Sequence, residues 1–216
     1  MGVGTGEHGV GTDVSEPRSA DDILARRRVL RNRALGAREA LTETAREALS
    51  RRLEAHLAVL LARLAPSSVG FCWPFRAEPD LRRFVAGWLA GDAARRAALP
   101  VVLDREAPLL FRRWMPGMQL MPDRHGIPHP PAGETLAPEL VLVPLNAFDA
   151  RGFRLGYGGG YFDRTLAVLP ACAVGVGFEV GRVDSVLPQP HDRPMDWLVT
   201  EAGVSRPELR VGCGSR

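Results

Sequence analysis

A glycine cluster between two arginines is the segment of this sequence best suited to chemistry. Residues 154–164 read Arg-Leu-Gly-Tyr-Gly-Gly-Gly-Tyr-Phe-Asp-Arg. Glycine permits positive φ angles and lets a large anion approach the backbone N–H groups. Arg154 and Arg164 add cations, and Asp163 adds a carboxylate that can bind a metal ion. Together these residue types indicate a site for a nucleotide phosphate with Mg²⁺.

The flanking sequence predicts the elements that would position this cluster. An apolar run at residues 140–145 precedes the glycines, and Tyr161, Leu166 and Leu169 follow them at helical spacing. A strand, a glycine loop and a helix in this order place free N–H groups at the positive end of a helix dipole, where phosphate binds readily. On glycine content alone a tight surface turn is the alternative, and the charged neighbours favour the phosphate site.

Two common phosphate-binding signatures are absent. The chain has no lysine for a Walker loop, and Tyr161 stands where the dinucleotide fingerprint needs glycine. The segment Arg154 to Asp163 instead resembles the ATP-binding signature of 5-formyltetrahydrofolate cyclo-ligases (5,10-methenyltetrahydrofolate synthetases), Arg-Leu-Gly-x-Gly-x-Gly-Tyr-Tyr/Phe-Asp. The resemblance implies that Arg154 and Asp163 are catalytic. It also implies that the following residues bind ATP: Arg154, Leu155, Gly156, Tyr157, Gly158, Gly159, Gly160, Tyr161 and Phe162.

Three arginines project from one face of the first predicted helix: Arg27, Arg31 and Arg38. A solvated basic face is the ordinary meaning of such a pattern. Cyclo-ligases, however, begin with a helix of pattern Lys-x-x-Leu-Arg whose Lys and Arg reach the nucleotide phosphates, and residues 27–31 read Arg-Arg-Val-Leu-Arg. The resemblance therefore implies that Arg31 and Arg27 bind ATP. Arg27 replaces a lysine, and a planar guanidinium is not equivalent in geometry to a compact ammonium group.

Further matches to the family imply a folate site and a second metal ligand. Glu78 corresponds to the carboxylate that accepts the pterin N–H groups, and Trp73 lies at a substrate-contact position. Trp114 ends a Phe-x-x-Trp segment that borders the folate in the family, although an aromatic residue at a strand end often lies in the core. Asp192 matches an aspartate that joins Asp163 at Mg²⁺. The implied substrate-binding residues are Trp73, Glu78, Trp114, Tyr157 and Tyr161.

The pattern along the chain predicts the architecture. The chain has 216 residues, of which 45% are hydrophobic, and this suits one domain. Ser19 and Thr42 are expected to cap two amphipathic helices, after which short apolar runs alternate with helical segments. We expect a single-domain α/β fold with a central mixed or mostly parallel sheet, helices on both faces and an N-terminal helical pair. The expected domain covers residues 19–204, with a disordered tail at 1–18 and a loose tail at 205–216.

The resemblance implies a function. This would be ATP- and Mg²⁺-dependent cyclisation of 5-formyltetrahydrofolate to 5,10-methenyltetrahydrofolate through a phosphorylated formyl intermediate, with release of ADP and phosphate. Two alternatives stay open. One is a paralogue acting on another formamide-like substrate, since Cys72 stands where relatives often have tyrosine. The other is a non-catalytic nucleotide- or RNA-binding protein, although no RNP-like pattern of aromatic and basic residues occurs.

The partners and location follow from charge and hydropathy. The net charge of +3 comes with arginines spread over the whole length, which does not mark a nucleic-acid tract. The first twenty residues lack an apolar signal region, and no apolar run approaches the roughly 18 residues needed to span a bilayer. We expect a cytoplasmic monomer whose partners are 5-formyltetrahydrofolate, ATP and Mg²⁺, without a membrane or nucleic-acid partner.

Overall fold

Two long helices open the part of the chain described by the computed structural model, residues 19–207. Helix α1 spans Ala20–Glu39, and the Ser19 hydroxyl accepts a hydrogen bond from the Asp22 N–H at its start. Helix α2 spans Glu43–Leu64, and Thr42 accepts in the same way from the Ala45 N–H. Each cap satisfies one N–H that the first helical turn leaves without a partner. The predicted helical pair and both caps are confirmed.

The remaining elements are short. The strands are β1 (Ser68–Gly70), β2 (Arg96–Val101), β3 (Leu110–Trp114), β4 (Met121–Pro122), β5 (Pro128–His129), β6 (Thr135–Leu136), β7 (Leu140–Pro144), β8 (Ala147–Phe148), β9 (Arg154–Leu155), β10 (Cys172–Val176), β11 (Trp197–Thr200) and β12 (Gly203–Ser205). The helices are α3 (Arg82–Ala90), α4 (Tyr161–Val168) and the 3-10 helix η1 (Glu179–Gly181).

An eight-stranded sheet forms the centre of the fold, in the order β12-β11-β10-β7-β1-β2-β3-β6. The strands from β11 to β2 run parallel to one another. Antiparallel strands complete both edges, β12 on one side and β3 with β6 on the other. Two small antiparallel pairs, β4 with β5 and β8 with β9, lie outside this sheet. The predicted mixed, mostly parallel sheet is confirmed.

The connections from the parallel strands β1 and β7 lead to opposite sides of the sheet. From β1 the chain passes through α3 to β2 on one side, whereas from β7 it passes through α4 to β10 on the other. Gly70 is in register with Val141, so the segments that follow the two strands leave the same edge of the sheet. In open α/β sheets ligands bind in the crevice that forms between two such strands, outside their carboxyl ends.

Helices cover both faces of the sheet, as predicted. On one face Leu53 and Leu57 of α2 and Val85 of α3 join the main core. On the other face Leu166 of α4 packs into a second core with Val143. Burying each large aliphatic side chain contributes about 1.5 to 3 kcal/mol. Helix α1 instead packs over the β8–β9 pair, where its buried residue Ala34 meets Ala147, Leu155 and Val186.

Helix α3 begins at Arg82, directly after a turn in which the Asp80 carboxylate accepts from the Arg82 N–H at 3.1 Å. One predicted boundary differs from the structure. The boundary at 205 is too early, since Ser205 ends β12 and Pro207 is buried. The tails predicted at 1–18 and 208–216 lie outside the described residues. Within residues 19–207 no helix is long and apolar enough to cross a membrane.

Candidate functional site

The glycine loop, residues 156–160, links β9 to the start of α4. Gly158 has φ +97° and Gly160 has φ +67°, and Gly160 is the N-cap of α4. A Cβ atom at Gly159 would lie 2.6 Å from the Tyr161 ring. These positions need glycine because side chains are disfavoured at positive φ and a ring occupies the remaining space. A helix N-terminus that begins in such a loop without a capping side chain offers N–H donors to an anion.

Arg31 brings a cation to this loop. Its Nε donates to the Gly156 carbonyl at 2.7 Å, and its guanidinium carbon would lie 3.9 Å from a Cβ atom at Gly158. Partial burial, and secondly the charge of Arg27, lower the pKa of Arg31. The positive charge of Arg31 is therefore unfavourable here, because the group is partly desolvated and lies near the charge of Arg27. A bound anion would relieve both penalties.

Arg154 and Asp163 form an ion pair beneath the loop. Arg154 is 6% exposed, and its Nη1 lies 3.2 Å from the Asp163 Oδ1. The same Oδ1 accepts from the Arg193 N–H at 3.0 Å, and the Arg193 carbonyl accepts from the Arg154 Nη1 at 3.1 Å. Among residues 19–207 nothing bonds the Asp163 Oδ2. One carboxylate oxygen is thus oriented by the protein, and the other is left for a ligand.

Arg27 and Asp192 form a second buried ion pair. Arg27 donates from Nη1 to the Asp192 Oδ2 at 2.6 Å and from Nη2 to the Asp192 Oδ1 at 3.1 Å. Burial alone would raise the pKa of Asp192, but the hydrogen bonds from Arg27 and the Gln189 N–H outweigh it and hold that pKa below its ordinary value. Asp192 therefore stays charged and paired.

This pairing involves two residues with other expected roles. Arg27 is expected at the nucleotide phosphates and Asp192 at a metal ion, and here Arg27 donates a hydrogen bond to each oxygen of the Asp192 carboxylate. A carboxylate has about four lone-pair sites, and Asp192 accepts three hydrogen bonds, so a metal ion there would have to share the carboxylate with Arg27. Within residues 19–207 no three His, Cys, Asp or Glu side chains cluster as a metal site.

A hydrogen-bonded network joins the loop after β1 to the glycine loop. Tyr157 donates its hydroxyl to the Glu78 Oε1 at 2.7 Å. Arg38, which is 3% exposed, donates to that hydroxyl at 2.8 Å, to the Asn146 Oδ1 at 2.7 Å and to the Arg76 carbonyl at 3.0 Å. Arg38 also lies 4.0 Å from the Glu78 carboxylate. The Glu78 carboxylate thus lines the crevice between β1 and β7, with Tyr157 and Arg38 beside it.

Burial raises the pKa values of two groups in this network, Glu78 and Tyr157. Desolvation raises the pKa of Glu78, although Arg38, the Tyr157 hydroxyl and the Phe75 N–H oppose the shift. Burial, and secondly the neighbouring Glu78 charge, raise the pKa of Tyr157. Tyr157 therefore remains a hydroxyl at neutral pH, and Glu78 holds a proton more readily than a carboxyl group in water.

The aromatic residues predicted to bind ligands divide into two groups. Trp73 is half-buried beside the crevice, and the Arg82 guanidinium lies 4.7 Å from its ring centre. Tyr161 stacks under Arg164 and accepts a hydrogen bond from Arg124 at its hydroxyl. Trp114, by contrast, is 5% exposed and belongs to the main core. The expectation that Trp114 contacts a ligand conflicts with this burial, because little of its surface is left to touch one.

Two residues of the predicted ATP signature direct their side chains into the protein. Leu155 is 1% exposed in the small core under α1, and Phe162 packs against the core on the α4 face. Their side chains secure the ends of the glycine loop. Any contact they make with a phosphate would therefore come from their backbone groups.

The structure also brings in residues that the sequence left without a role. Arg38 lies seven positions after Arg31 on the same helical face, and this spacing was the available signal for it. Asn146 follows β7, and Arg124 lies in the turn between β4 and β5. Neither matches a motif: Asn146 bonds Arg38, which is 108 residues away in the sequence, and Arg124 bonds Tyr161, which is 37 residues away.

Comparison with known proteins matches this chain to characterised folate enzymes. The model of the 5-formyltetrahydrofolate cyclo-ligase family matches residues 23–201. A 5-formyltetrahydrofolate cyclo-ligase from Mycolicibacterium smegmatis is 30% identical over 182 residues, which cover 79% of this chain and 91% of that protein. One from Escherichia coli K12 is 32% identical over 126 residues, which cover 54% of this chain and 68% of that protein.

Solved structures show the same architecture. The 5,10-methenyltetrahydrofolate synthetase of Aquifex aeolicus is 29% identical with a TM-score of 0.74, over 86% of this chain and 95% of that one. The synthetase of Mycoplasma pneumoniae is 22% identical with a TM-score of 0.64, over 81% and 98%, and supports the fold alone. Because the family model covers more than half of the chain, residues 23–201, including the glycine loop and both ion pairs, the chain belongs to the 5-formyltetrahydrofolate cyclo-ligase family.

Proposed function

We propose that this protein cyclises 5-formyltetrahydrofolate to 5,10-methenyltetrahydrofolate at the expense of ATP, with release of ADP and phosphate. The observation that carries the proposal is the contact between Tyr157 of the glycine loop and Glu78 of the loop after β1. It brings an anion site and a carboxylate-lined crevice side by side. Phosphoryl transfer between two substrates needs such adjacency, since positioning provides much of the catalysis.

The glycine loop would hold the triphosphate. Its N–H groups, with those of the first turn of α4, would donate to phosphate oxygens. Arg31 would supply a cation whose terminal nitrogens bond no other group among residues 19–207. Arg154 is tied to Asp163 and to the Arg193 carbonyl, so it would act as a fixed charge beneath the loop.

Mg²⁺ fits this donor set at Asp163. The Oδ2 of Asp163 is free of hydrogen bonds within the described residues, and one carboxylate with phosphate oxygens and water is an ordinary Mg²⁺ shell. When bound, the ion would neutralise phosphate charge and orient the γ-phosphoryl group. At Asp192 the ion would compete with Arg27, which donates to both carboxylate oxygens.

The crevice would hold the folate. Glu78 would accept the pterin N–H groups, with Trp73 and Tyr157 providing aromatic surface beside it. Arg38 would keep the Glu78 carboxylate oriented from the buried side. Tyr161 would border the glycine loop, where Arg124 and Arg164 hold its ring and hydroxyl.

The reaction would then proceed in two steps. The formyl oxygen attacks the γ-phosphorus and ADP leaves, so that the formyl carbon becomes part of an iminium phosphate. The N10 nitrogen attacks this carbon, loses its proton, and phosphate leaves with the former formyl oxygen. The protein's contribution is to align the two substrates and to balance charge at the phosphoryl group.

The direct test follows the absorbance of the methenyl product together with ADP. Purified protein with 5-formyltetrahydrofolate, ATP and Mg²⁺ should form both in equal amounts, and omission of ATP should abolish the chromophore. The Asp163→Ala variant should lose turnover while keeping its circular dichroism spectrum, and the exposed Asp184→Ala provides the matched control. ADP formation without the chromophore would reject the folate substrate and favour another formamide-like one. Neither product from a protein that binds ATP would reject catalysis.

A further inference from the structure

Arg27 ties α1 to the segment that precedes β11. Besides its two bonds to Asp192, its Nη1 donates to the Leu187 carbonyl at 2.8 Å. The side chains of Arg27 and Asp192 are only 11% and 5% exposed. A guanidinium that donates three hydrogen bonds in a fixed plane sets both the distance and the orientation of what it holds.

The segment that Arg27 holds has a defined conformation. The Asp192 Oδ2 also accepts from the Gln189 N–H at 2.7 Å, and the Asp192 N–H donates to the Gln189 carbonyl at 2.9 Å. Leu187 has φ +54°, a conformation that a leucine adopts only when its surroundings hold it there. The Arg27 bond to the Leu187 carbonyl is one such constraint.

The next residue in the chain connects this segment to the proposed phosphate site. The Arg193 N–H donates to the Asp163 Oδ1 at 3.0 Å, and the Arg193 carbonyl accepts from Arg154 at 3.1 Å. Asp163 and Arg154 therefore both take their orientation from one peptide segment. That segment, Arg193, directly follows Asp192, to which Arg27 is hydrogen-bonded.

We propose that Arg27 is a positioning residue. By holding Asp192 it places the Arg193 backbone so that Asp163 and Arg154 are correctly oriented. In this arrangement Asp192 is a partner of Arg27 rather than a ligand of Mg²⁺. The inference rests on the proposed function for the roles of Asp163 and Arg154. A lysine at position 27 could not make the same planar pair, since an ammonium group has no fork of parallel donors.

The test compares Arg27→Gln, Asp192→Asn and the double variant with wild type. Each single change should lower kcat about tenfold, because a displaced catalytic group costs rate, while KM for ATP stays within about twofold. The double variant should be no slower than the slower single one, since both changes break the same clamp. The Mg²⁺ concentration that half-saturates ATP binding, measured by calorimetry, should be the same in Asp192→Asn and wild type. Arg28→Gln, at the exposed neighbouring position, is the matched control.

Three results would overturn the inference while wild-type turnover stands. A tenfold or greater rise in the Mg²⁺ requirement of Asp192→Asn alone would make that residue a metal ligand. A comparable rise in KM for ATP with unchanged kcat in Arg27→Gln would make Arg27 a phosphate contact. Additive losses in the double variant would separate the two residues. A wild-type protein that neither binds nor hydrolyses ATP would instead refute the proposed function and the inference with it.

Discussion

The Tyr157 hydroxyl lies 2.7 Å from the Glu78 carboxylate, to which it donates a hydrogen bond across 79 residues of sequence. The Tyr157 ring also packs edge-to-face on Phe75, with 5.4 Å between ring centres. A residue of the ATP signature is thereby in contact with the residue expected to hold the pterin. The two proposed substrate sites share one wall, and Arg38 supports that wall from within.

Replacing Arg38 with alanine should destabilise the fold strongly. The change would leave the Asn146 side-chain oxygen and the Arg76 carbonyl without the Arg38 donor, and would remove the cation 4.0 Å from the Glu78 carboxylate. Removing one member of a buried ion pair costs about 3 to 5 kcal/mol in the free energy of unfolding. Urea denaturation would measure the loss, with Arg33→Ala on the exposed side of the same helix as the control. A loss of Arg38→Ala that merely equals the control would contradict the role of the network.

The Glu78→Gln variant should change how stability depends on pH. The folded pKa of Glu78 lies above its unfolded value near 4.5, so the folded protein keeps this proton over a range where the unfolded chain has lost it. The free energy of unfolding of wild type should therefore fall, relative to that of Glu78→Gln, as the pH rises from about 4 toward 7. The difference should become constant once Glu78 is ionised in both states.

Urea titrations at several pH values would follow this difference. Glu47→Gln on the exposed surface of α2 controls for the loss of a carboxyl group as such. A wild-type stability that instead rises relative to Glu78→Gln over the same range would show that the Glu78 carboxylate is stabilised, not penalised, by its surroundings.

Alanine at Gly158 should weaken ATP binding, whereas alanine at Gly117 should not. Both glycines have positive φ, +97° and +79°, and neither has atoms that would clash closely with a new Cβ. Each change should therefore cost about 1 to 2 kcal/mol of stability through backbone strain. Only Gly158 lies in the glycine loop, so ATP affinity measured by calorimetry should fall about tenfold there alone. Equal ATP affinities of the two variants would argue against the loop as the phosphate site.

The two tryptophans that the sequence pairs as folate contacts should behave differently. Trp114→Ala should cost about 3 to 5 kcal/mol of stability, because its ring is buried and packs edge-to-face on Phe71 at 5.0 Å between centres. Trp73→Ala should instead raise KM for 5-formyltetrahydrofolate about tenfold, the effect of about 1.4 kcal/mol of lost contact. Thermal unfolding and steady-state kinetics on both variants would separate these effects. A raised KM with unchanged stability in Trp114→Ala would reverse the assignment.

Local sequence patterns were sufficient for the architecture. The helical spacing of leucines and the caps Ser19 and Thr42 predicted both long helices. Strand β11, Trp197–Thr200, is buried along its whole length, and a strand buried on both faces reads as nearly continuous apolar sequence. Apolar and aromatic sequence continues as far as Trp73, yet β1 ends at Gly70. Beyond that residue the chain turns into the crevice, which apolarity alone does not reveal.

The sequence also determined which chemical groups are present: the glycine loop, its flanking arginines, and the Asp163 and Glu78 carboxylates all follow from residue type and spacing. Which of these groups pair was decided only by the tertiary structure. Arg27 meets Asp192 across 165 residues, and Arg38 meets Asn146 across 108. Such contacts depend on the order of strands in the sheet and on where α1 packs, and both are settled by burial of the whole core. For the same reason the sequence could place Trp114 at a strand end without showing that its ring is buried.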